Sequence, residues 1–496
     1  MQLAPSFPYN SNSTVPKLSS RSAPIAMLVL LATLVFAGSA LSRKPASQPA
    51  TKPVPPNLIV ILTDDQGYAD VGFNGCRDIP TPNIDRIARE GVRFTNAYVT
   101  YAVCGPSRAG LITGRYQDRF GFGRNPLFAP RDSTMGLPQS EQTLAEILGQ
   151  AGYRSAALGK WHLGAHLSQH PLHRGFEHFF GFLSGGHRYF SDEWTLPDEW
   201  AVTSQFEAYR TKLLRDHQRV TETEYLTDAL SREAAEYVRE FRDDPFFLYL
   251  AYNAPHAPLQ ATDEYLDRFA HISDPKRRTY AAMVSAVDDG VGRLLDVLDE
   301  LGIAENTLVV FLSDNGGQET ENHADNGPLR GQKGDFTEGG VRVPFAMRWP
   351  SRIEPGTDFP EAVSSMDIFA SIVAANAGLT PDNPIDGVDL LPYLTGKATG
   401  APHEALFWKN SDQDKFAVRS GTDKLVNRNG SDRRYDLGTD IGEDNDLHSP
   451  GDTVTPMLKA RYLGWEQETM VPAFLGLGDD AAYSAAHPDR FRRPRR

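Results

Sequence analysis

Four short, continuous apolar runs constrain the fold of this chain more than any other feature of the sequence. They cover residues 58–62, 155–158, 246–250 and 307–312. Such runs are typical of strands that are buried on both faces of a sheet. Amphipathic helices are predicted between them, over residues 141–149 and 280–301, and Gly302 closes the second helix. Strands that alternate with helices predict an α/β fold with a central, mostly parallel sheet flanked by helices.

Polar residues follow each of the four runs at the point where the run ends. They are Asp64 and Asp65, Lys160 and His162, His256, and Asp314 and Asn315. Ligands of open α/β sheets bind outside the carboxyl ends of the strands, so we expect these side chains to share one site. An acid after a single strand is often only a helix cap or a turn former, but four such positions favour a common site.

The oxygen donors in this set suit a hard divalent cation, Ca²⁺ or alternatively Mg²⁺, better than they suit zinc. The predicted metal ligands are Asp64, Asp65, Asp314 and Asn315. A further basic residue, Lys333, lies in a glycine-rich segment over 328–334 that lacks the spacing and the Ser/Thr of a Walker A loop.

The predicted pattern of secondary structure changes past about residue 400. Short strand candidates at 405–408, 416–420, 424–426 and 434–436 are separated by turn residues, with no long helix between them. We therefore expect a catalytic domain over 57–400 and a small antiparallel subdomain over 401–475. Residues 476–496 form a basic, arginine-rich tail, which we expect to be solvated, with anion binding as the alternative.

The N-terminus resembles an export signal. Lys17 and Arg21 precede an apolar run over 25–37, and small residues follow it. We predict a signal peptide or, alternatively, an uncleaved membrane anchor over 1–41, a linker over 42–56, and a periplasmic or extracellular location. The sequence contains two cysteines, Cys76 and Cys104, and we expect no disulfide, although a bridge between them is the alternative in an exported protein.

The formal net charge of −14 argues against a nucleic-acid partner. An anionic substrate would have to be held by a local cluster of basic groups. The basic candidates near the predicted strand ends are Lys160, His162, His256 and Lys333.

Two further motifs are highly specific. Cys104-Gly105-Pro106-Ser107-Arg108 begins a twelve-residue pattern that ends at Arg115, and Gly159-Lys160-Trp161-His162-Leu163-Gly164 follows the second run. Together with Ser313-Asp314-Asn315-Gly316-Gly317 and Arg434-Tyr435-Asp436-Leu437, they resemble the type I, formylglycine-dependent sulfatases of the alkaline-phosphatase-like superfamily. The resemblance extends from about residue 57 to about residue 447.

The resemblance implies a mechanism. Cys104 would be oxidised to formylglycine by a maturation enzyme, would contribute to the metal site, and would attack sulfur as the hydrated aldehyde. Arg108 would orient the diol, and Lys160 and Lys333 would neutralise charge on the sulfate. His256 would protonate the leaving alcohol, and His162 would take a proton so that the aldehyde reforms.

The substrate is the least determined part of the prediction. The segment 185–220 is rich in aromatic and charged residues, among them His187, Arg188, Tyr189, Trp194 and Trp200, and is predicted to be a sugar-facing rim or else an ordinary surface insertion. With Lys160, His256 and Lys333, His187 is a predicted substrate-binding residue. A sulfated glycan is the preferred substrate, with an aryl sulfate as a surrogate. The alternatives are a phosphomonoester or phosphonate hydrolase on the same scaffold and a non-catalytic glycan-binding relative.

Overall fold

A computed structural model of the chain describes residues 55–376 and 378–493. The predicted export segment and all but the last two residues of the predicted linker lie outside these ranges. No helix within the described ranges is long and apolar enough to cross a membrane.

The described residues form sixteen strands and twelve α-helices. The strands are β1 Asn57–Thr63, β2 Val92–Phe94, β3 Ala97–Tyr98, β4 Arg154–Lys160, β5 His178–Phe182, β6 Leu213–Arg215, β7 Gln218–Val220, β8 Phe246–Ala251, β9 Thr307–Ser313, β10 Phe345–Arg348, β11 Thr357–Phe359, β12 Val363–Ser364, β13 Leu406–Asn410, β14 Lys415–Ser420, β15 Asp423–Arg428 and β16 Ser431–Asp436. The helices are α1 Pro82–Arg89, α2 Cys104–Thr113, α3 Leu144–Gly149, α4 Leu226–Phe241, α5 Asp263–Arg268, α6 Pro275–Glu300, α7 Glu319–Asn322, α8 Glu338–Val341, α9 Asp367–Ala375, α10 Leu391–Leu394, α11 Val454–Glu466 and α12 Asp480–Ala486.

The main sheet has ten strands in the order β11-β2-β10-β9-β1-β8-β4-β5-β6-β7. The four apolar runs recognised in the sequence are β9, β1, β8 and β4, which are neighbours and run parallel. Antiparallel pairing appears beyond them, where β10 joins β9 and β6 joins β5. The carboxyl ends of the four predicted strands therefore lie side by side, as the prediction of a shared site requires.

Both faces of this sheet are covered. Along β1, Ile59 and Ile61 pack into one apolar cluster, whereas Leu58, Val60 and Leu62 pack into another on the opposite face. Buried residues of α1, α4 and α6 belong to the first cluster, and buried residues of α2, α3 and α9 belong to the second. The predicted α/β fold with a mostly parallel sheet is confirmed.

The two helices predicted from periodicity are present, with shifted starts. α3 begins at Leu144 because Thr143 and Glu146 form a capping box. α6 begins at Pro275, five residues before the predicted start, because the Asp274 side chain accepts a hydrogen bond from the backbone N–H of Arg277.

The four strands predicted past residue 400 form a separate antiparallel sheet in the order β13-β14-β15-β16. One face of this sheet packs on α11 through Val418, Leu425 and Leu458. The other face turns toward the main sheet, where Lys424 is buried between Glu338, at 2.7 Å, and Glu443, at 3.1 Å. The predicted small C-terminal sheet is thus present.

The arginine-rich tail is partly packed against the rest of the protein, which differs from the predicted solvated tail. The Arg490 side chain is buried, and its guanidinium donates to the Phe128 carbonyl oxygen at 2.9 Å and to Asp480 at 2.6 Å. Arg493 lies 2.8 Å from Asp198. The expectation of a solvated tail is therefore wrong for Arg490, since fixed carbonyl and carboxylate oxygens replace water around its guanidinium group, whereas Arg493 is 67% exposed.

Candidate active site

Cys104 lies at the first turn of α2, a helix whose ten residues are all buried. The glycines of its motif allow close packing. A Cβ at Gly110 would lie 2.3 Å from the Thr100 hydroxyl oxygen, and Gly114 ends the helix in the left-handed conformation at φ 66°. The Cys104 Sγ lies 3.3 Å from Asp64 Oδ1, at the carboxyl end of β1. Burial and the neighbouring Asp64 carboxylate raise the pKa of the Cys104 thiol well above its usual range.

Both cysteines are free, so the alternative of a Cys76–Cys104 bridge is not found. Cys76 is partly buried in the segment between β1 and α1, with its Sγ 3.3 Å from Asp78 Oδ1. Burial raises the pKa of its thiol to about 12, which favours the neutral thiol.

Three buried carboxylates and three cations surround Cys104. Lys160 Nζ lies 2.5 Å from Asp64, Arg108 Nε lies 2.9 Å from Asp314, and Lys333 Nζ lies 2.8 Å from Asp65. Burial opposes the charge on Lys160, but Asp64 outweighs it and raises the pKa of Lys160. Burial and Asp64 together raise the pKa of Asp314 to about 6. The cluster is electrically balanced and contains cations that can face a bound anion.

Asp65 is held in an uncommon backbone conformation, with φ 64°. Its Oδ1 accepts a hydrogen bond from Asn315 Nδ2 at 2.8 Å, and its backbone N–H faces Asp314 Oδ1 at 3.3 Å. Burial opposes ionisation of Asp65, but the positive charge of Lys333 holds its pKa well below the usual range. The left-handed turn after β1 thus directs an ionised carboxylate toward the end of β9.

The oxygen donors fit a divalent cation. Asn315 is fully buried, and its Oδ1 has no hydrogen-bond partner among the described residues. A buried carbonyl oxygen without a donor is destabilising unless something electropositive binds it. The ligand atoms of Asp64, Asp65, Cys104 and His256 also lie within 4.8 Å of one another. The Asp64 and Asp65 carboxylates and the Asn315 amide oxygen are therefore placed where a hard cation would satisfy them, whereas the Asp314 carboxylate pairs with Arg108.

His256 follows β8 and lies across Asp65 from Lys333. Its Nε2 is 3.7 Å from Asp65 Oδ2, and its Nδ1 is 2.5 Å from the carbonyl oxygen of Ala257, which fixes the ring orientation. Burial and the Lys333 ammonium lower the pKa of His256 to about 3. In the protein alone the imidazole is neutral, with Nε2 facing the site.

His162 is also buried, and its backbone has φ 58°. Its Nδ1 has no hydrogen-bond partner among the described residues, and burial with the Lys160 charge holds its pKa well below the usual range. A Cβ at Gly185 would lie 2.6 Å from His162 Nε2, so the glycine backbone packs directly on the ring. His162 is thus a neutral base held against the cationic cluster.

Several residues of the predicted sugar-facing rim are buried in the structure. His187 is fully buried, with its ring nitrogens 2.8 Å from the carbonyl oxygens of Arg188 and Thr211, and burial lowers its pKa to about 4. Tyr189 and Trp194 are buried too. The prediction that His187 contacts substrate is therefore corrected: its polar atoms are used to hold the inserted segment together.

Sequence reasoning missed two residues beside Cys104. Tyr209, from the same inserted segment, lies close enough to Lys160 and Lys333 for their charges to act on the pKa of its phenol, which burial raises to about 12. Asn125 Oδ1 accepts the backbone N–H of Gly105 at 2.8 Å, within the first turn of α2. Tyr209 lies in the aromatic segment 185–220 but composition does not distinguish it from the other aromatic residues there, and Asn125 belongs to no motif.

Comparison with known proteins places this arrangement in a family. The sulfatase family model matches residues 56–378. N-acetylgalactosamine-6-sulfatase of Mus musculus is 35% identical over 452 residues, covering 87% of this chain and 82% of the mouse protein. The Homo sapiens protein of the same name is 38% identical over 360 residues, covering 69% of this chain and 66% of the human protein.

A solved structure gives the same result. Ps i-CgsB in complex with k-i-k-neocarrahexaose has a TM-score of 0.81 and 36% sequence identity, covering 88% of this chain and 100% of that chain. The family predicted from the cysteine and lysine–tryptophan–histidine motifs is confirmed. This chain belongs to the sulfatase family and is a sulfuric ester hydrolase of that family's fold.

Proposed function

We propose that this protein hydrolyses sulfate esters of a glycan, using a formylglycine made from Cys104. The observation that carries the proposal is the position of Cys104 Sγ, 3.3 Å from Asp64 at the start of a buried helix. In the mature protein, a hydroxyl oxygen of the hydrated formylglycine would take the place of that sulfur, and this oxygen would be the nucleophile. Backbone N–H groups at a helix start favour an anion there.

The surrounding cations would bind and orient the sulfate group. Lys160 and Lys333 would neutralise charge that develops on the ester oxygens. Arg108 is fixed by Asp314 and by the Lys160 carbonyl oxygen, 3.0 Å from its Nη1, and would orient the nucleophilic group. These three side chains form ion pairs with carboxylates in the protein without substrate, so they are already in position before substrate binds.

The two histidines would move protons. His256 would donate a proton to the leaving alcohol, and a bound anionic ester would favour the protonated imidazole by opposing the effect of Lys333 on its pKa. His162, which is neutral and has a free Nδ1 among the described residues, would accept the proton when sulfate is released.

We assign the cation site to Asp64, Asp65, Asp314 and Asn315, with Cys104 at its edge, and expect Ca²⁺ or, alternatively, Mg²⁺. Such an ion polarises sulfate oxygens as a Lewis acid when it is bound. Dialysis against a chelator should abolish turnover, and Ca²⁺ should restore more of it than Mg²⁺. Asn315→Ala should require a higher Ca²⁺ concentration for half-maximal activity, whereas Asn74→Ala should not, because Asn74 Nδ2 donates to the Tyr68 carbonyl oxygen, at 2.9 Å, and not to a site residue.

The substrate we propose is a sulfated polysaccharide. The support is the likeness to a structure that holds a neocarrahexaose and to relatives named for N-acetylgalactosamine 6-sulfate. A small aryl sulfate should be turned over as a surrogate. Rates on matched sulfate and phosphate esters separate this activity from a phosphomonoester or phosphonate hydrolase. Binding without turnover by mature protein would favour a non-catalytic glycan-binding relative.

We further propose that the protein is exported to the periplasm or the extracellular space and that a formylglycine-generating enzyme matures it. The test is mass spectrometry of the tryptic peptide over residues 94–108 from protein made in its native host. The proposal requires replacement of the thiol by an aldehyde or its hydrate, and loss of turnover in Cys104→Ala but not in Cys76→Ala. Full activity of a chain that carries only unmodified Cys104 would contradict it.

A further inference from the structure

A positively charged cavity of about 460 Å³ lies between the glycine-rich loop and the small C-terminal sheet. Arg330 lines it from the loop, and Arg428 and Arg433 line it from β15 and β16. All three arginines are exposed. None of these guanidinium groups pairs with a carboxylate among the described residues, and Arg330 donates only to the backbone oxygen of Glu443, at 2.8 Å.

The register of the sheet explains why the charges converge. Val426 pairs with Arg433, and Arg428 pairs with Ser431, so both arginines lie on one face of the sheet. Residues directly opposite on antiparallel strands share a face, and Lys415 is opposite Arg428. Burial and the Arg428 charge lower the pKa of Lys415. This like-charged pair is destabilising by itself, and a bound anion would relieve it.

One acid also lines the cavity. Asp335 accepts the backbone N–H of Gln332 at 3.3 Å and so is partly committed to the turn of the loop. Three lining arginines against one lining carboxylate leave a net positive charge in a chain whose formal net charge is −14. Arginine presents paired donors that match the oxygens of a sulfate group.

The loop that forms one wall of the cavity also carries the catalytic-site lysine. Gly331 and Asp335 line the cavity, and Lys333, between them, reaches Asp65. Three residues span at most about 11 Å when extended, so the backbone of Arg330 lies no farther than that from the backbone of Lys333. The loop is anchored beside Cys104, since Gly334 N–H donates to the Ala102 carbonyl oxygen at 2.8 Å.

We propose that this cavity, which we call the arginine pocket (Arg330, Arg428 and Arg433), binds a second sulfate group of the same glycan whose other sulfate is hydrolysed at Cys104. The proposal rests on the proposed function. It makes the protein selective for multiply sulfated chains, because the second sulfate adds binding energy that a singly sulfated sugar cannot supply.

The experiment measures binding to Cys104→Ala protein by calorimetry, so it needs no turnover. The probes are a multiply sulfated neocarrageenan hexaose, the same hexaose carrying one sulfate, and sodium sulfate. The variants are Arg428→Gln and Arg433→Gln, singly and together. Arg461→Gln is the matched control, because Arg461 lies on α11 and, among the described residues, pairs only with the exposed Glu404, at 3.4 Å.

Each pocket substitution should weaken binding of the multiply sulfated hexaose roughly tenfold, the change that corresponds to about 1.4 kcal/mol. Binding of the singly sulfated hexaose, and turnover of 4-nitrophenyl sulfate by the same variants with Cys104 intact, should stay unchanged. The proposal is overturned if the multiply sulfated hexaose binds no more tightly than the singly sulfated one, or if the double variant binds it as the control does.

Two further outcomes separate this proposal from others. If sodium sulfate binds in the pocket of the unsubstituted protein but the two hexaoses bind equally, the pocket is a site for free anions and the glycan proposal is refuted. If mature protein hydrolyses no sulfate ester yet the pocket variants lose hexaose binding, the proposed function fails, and the arginine pocket is a sulfated-glycan site of a protein that does not hydrolyse the glycan.

Discussion

Replacing Lys424 by methionine tests how the small C-terminal sheet is held to the catalytic domain. Lys424 is fully buried, with Glu338 at 2.7 Å and Glu443 at 3.1 Å. Removing one partner of a buried ion pair leaves an uncompensated charge and costs about 3–5 kcal/mol. Glu338 keeps Arg342, at 3.2 Å, so Glu443 bears most of the loss and we expect a value near the lower limit, about 3 kcal/mol.

The loss should depend on pH. Burial already raises the pKa of Glu443, and Lys424 opposes that rise, so the substitution raises the pKa further. The folded variant then retains a proton that the unfolded chain releases above its ordinary pKa. Its stability therefore falls as pH rises, by up to about 1.4 kcal/mol per pH unit. We expect a smaller deficit at pH 5 than at pH 8.

Urea denaturation followed by tryptophan fluorescence provides the assay, because the Lys424 ammonium lies over the Trp408 ring, 5.7 Å from its centroid. Lys459→Met is the matched control, since Lys459 is 40% exposed and pairs with Asp432 at 2.8 Å. An exposed pair of this kind contributes less than about 1 kcal/mol. Adding Glu443→Gln to Lys424→Met should restore part of the stability. Equal losses in Lys424→Met and Lys459→Met at pH 8 would refute the reasoning.

Three other substitutions test the site and its supports. Gly185→Ala should lower kcat at least about tenfold without unfolding the protein, because the added Cβ would lie 2.6 Å from His162 Nε2 and displace the ring. Gly149→Ala is the control, since open space surrounds its Cβ and kcat should not change. Equal rates in the two variants would contradict this reasoning. Burial lowers the pKa of His187 to about 4, whereas the same imidazole in the unfolded chain has a pKa of about 6.5. Between these two pH values the unfolded chain is protonated at this histidine and the folded protein is not, so the free energy of unfolding decreases as pH falls from about 6.5 to about 4. His187→Gln should reduce that slope by up to about 1.4 kcal/mol per pH unit in chemical denaturation, and an unchanged slope would count against it. Arg490→Met should destabilise the protein by about 2 kcal/mol in the same assay, since it leaves buried acceptors unpaired, and the 67% exposed Arg493 is the control position; equal effects would show that the tail is not docked through Arg490.

The sequence was sufficient for the fold class and for most of the site. Continuous apolar runs are a local signal, and β1, β4, β8 and β9 all formed where those runs lie. Ligands bind at the carboxyl ends of parallel strands, and this rule was enough to predict that the polar residues after β1, β4, β8 and β9 lie close together. The cysteine motif is likewise local, because it encodes one buried helix whose glycines permit close contacts. The small antiparallel sheet also followed from short strands and turn residues.

Burial and partners of individual side chains could not be read in the same way. The aromatic segment 185–220 has a composition that suits a sugar-facing rim, yet His187 and Trp194 are buried and the unmarked Tyr209 lies beside the site. Composition reports which side chains are present, whereas their direction depends on contacts with distant segments. Arg490 shows the same limit, because its carbonyl partner, Phe128, lies 362 residues away.

The sequence alone thus determined four strands of the main sheet, the polar groups that end them, and the strands of the small sheet, because each of these depends on neighbours within a few residues. Only the tertiary structure decided that β9, β1, β8 and β4 are adjacent, that Lys333 reaches Asp65 across 268 residues, and that Arg330 faces two arginines of the small sheet. Those arrangements arise from packing between segments far apart in the chain, where long-range burial and charge pairing fix the geometry and local patterns carry no information about it.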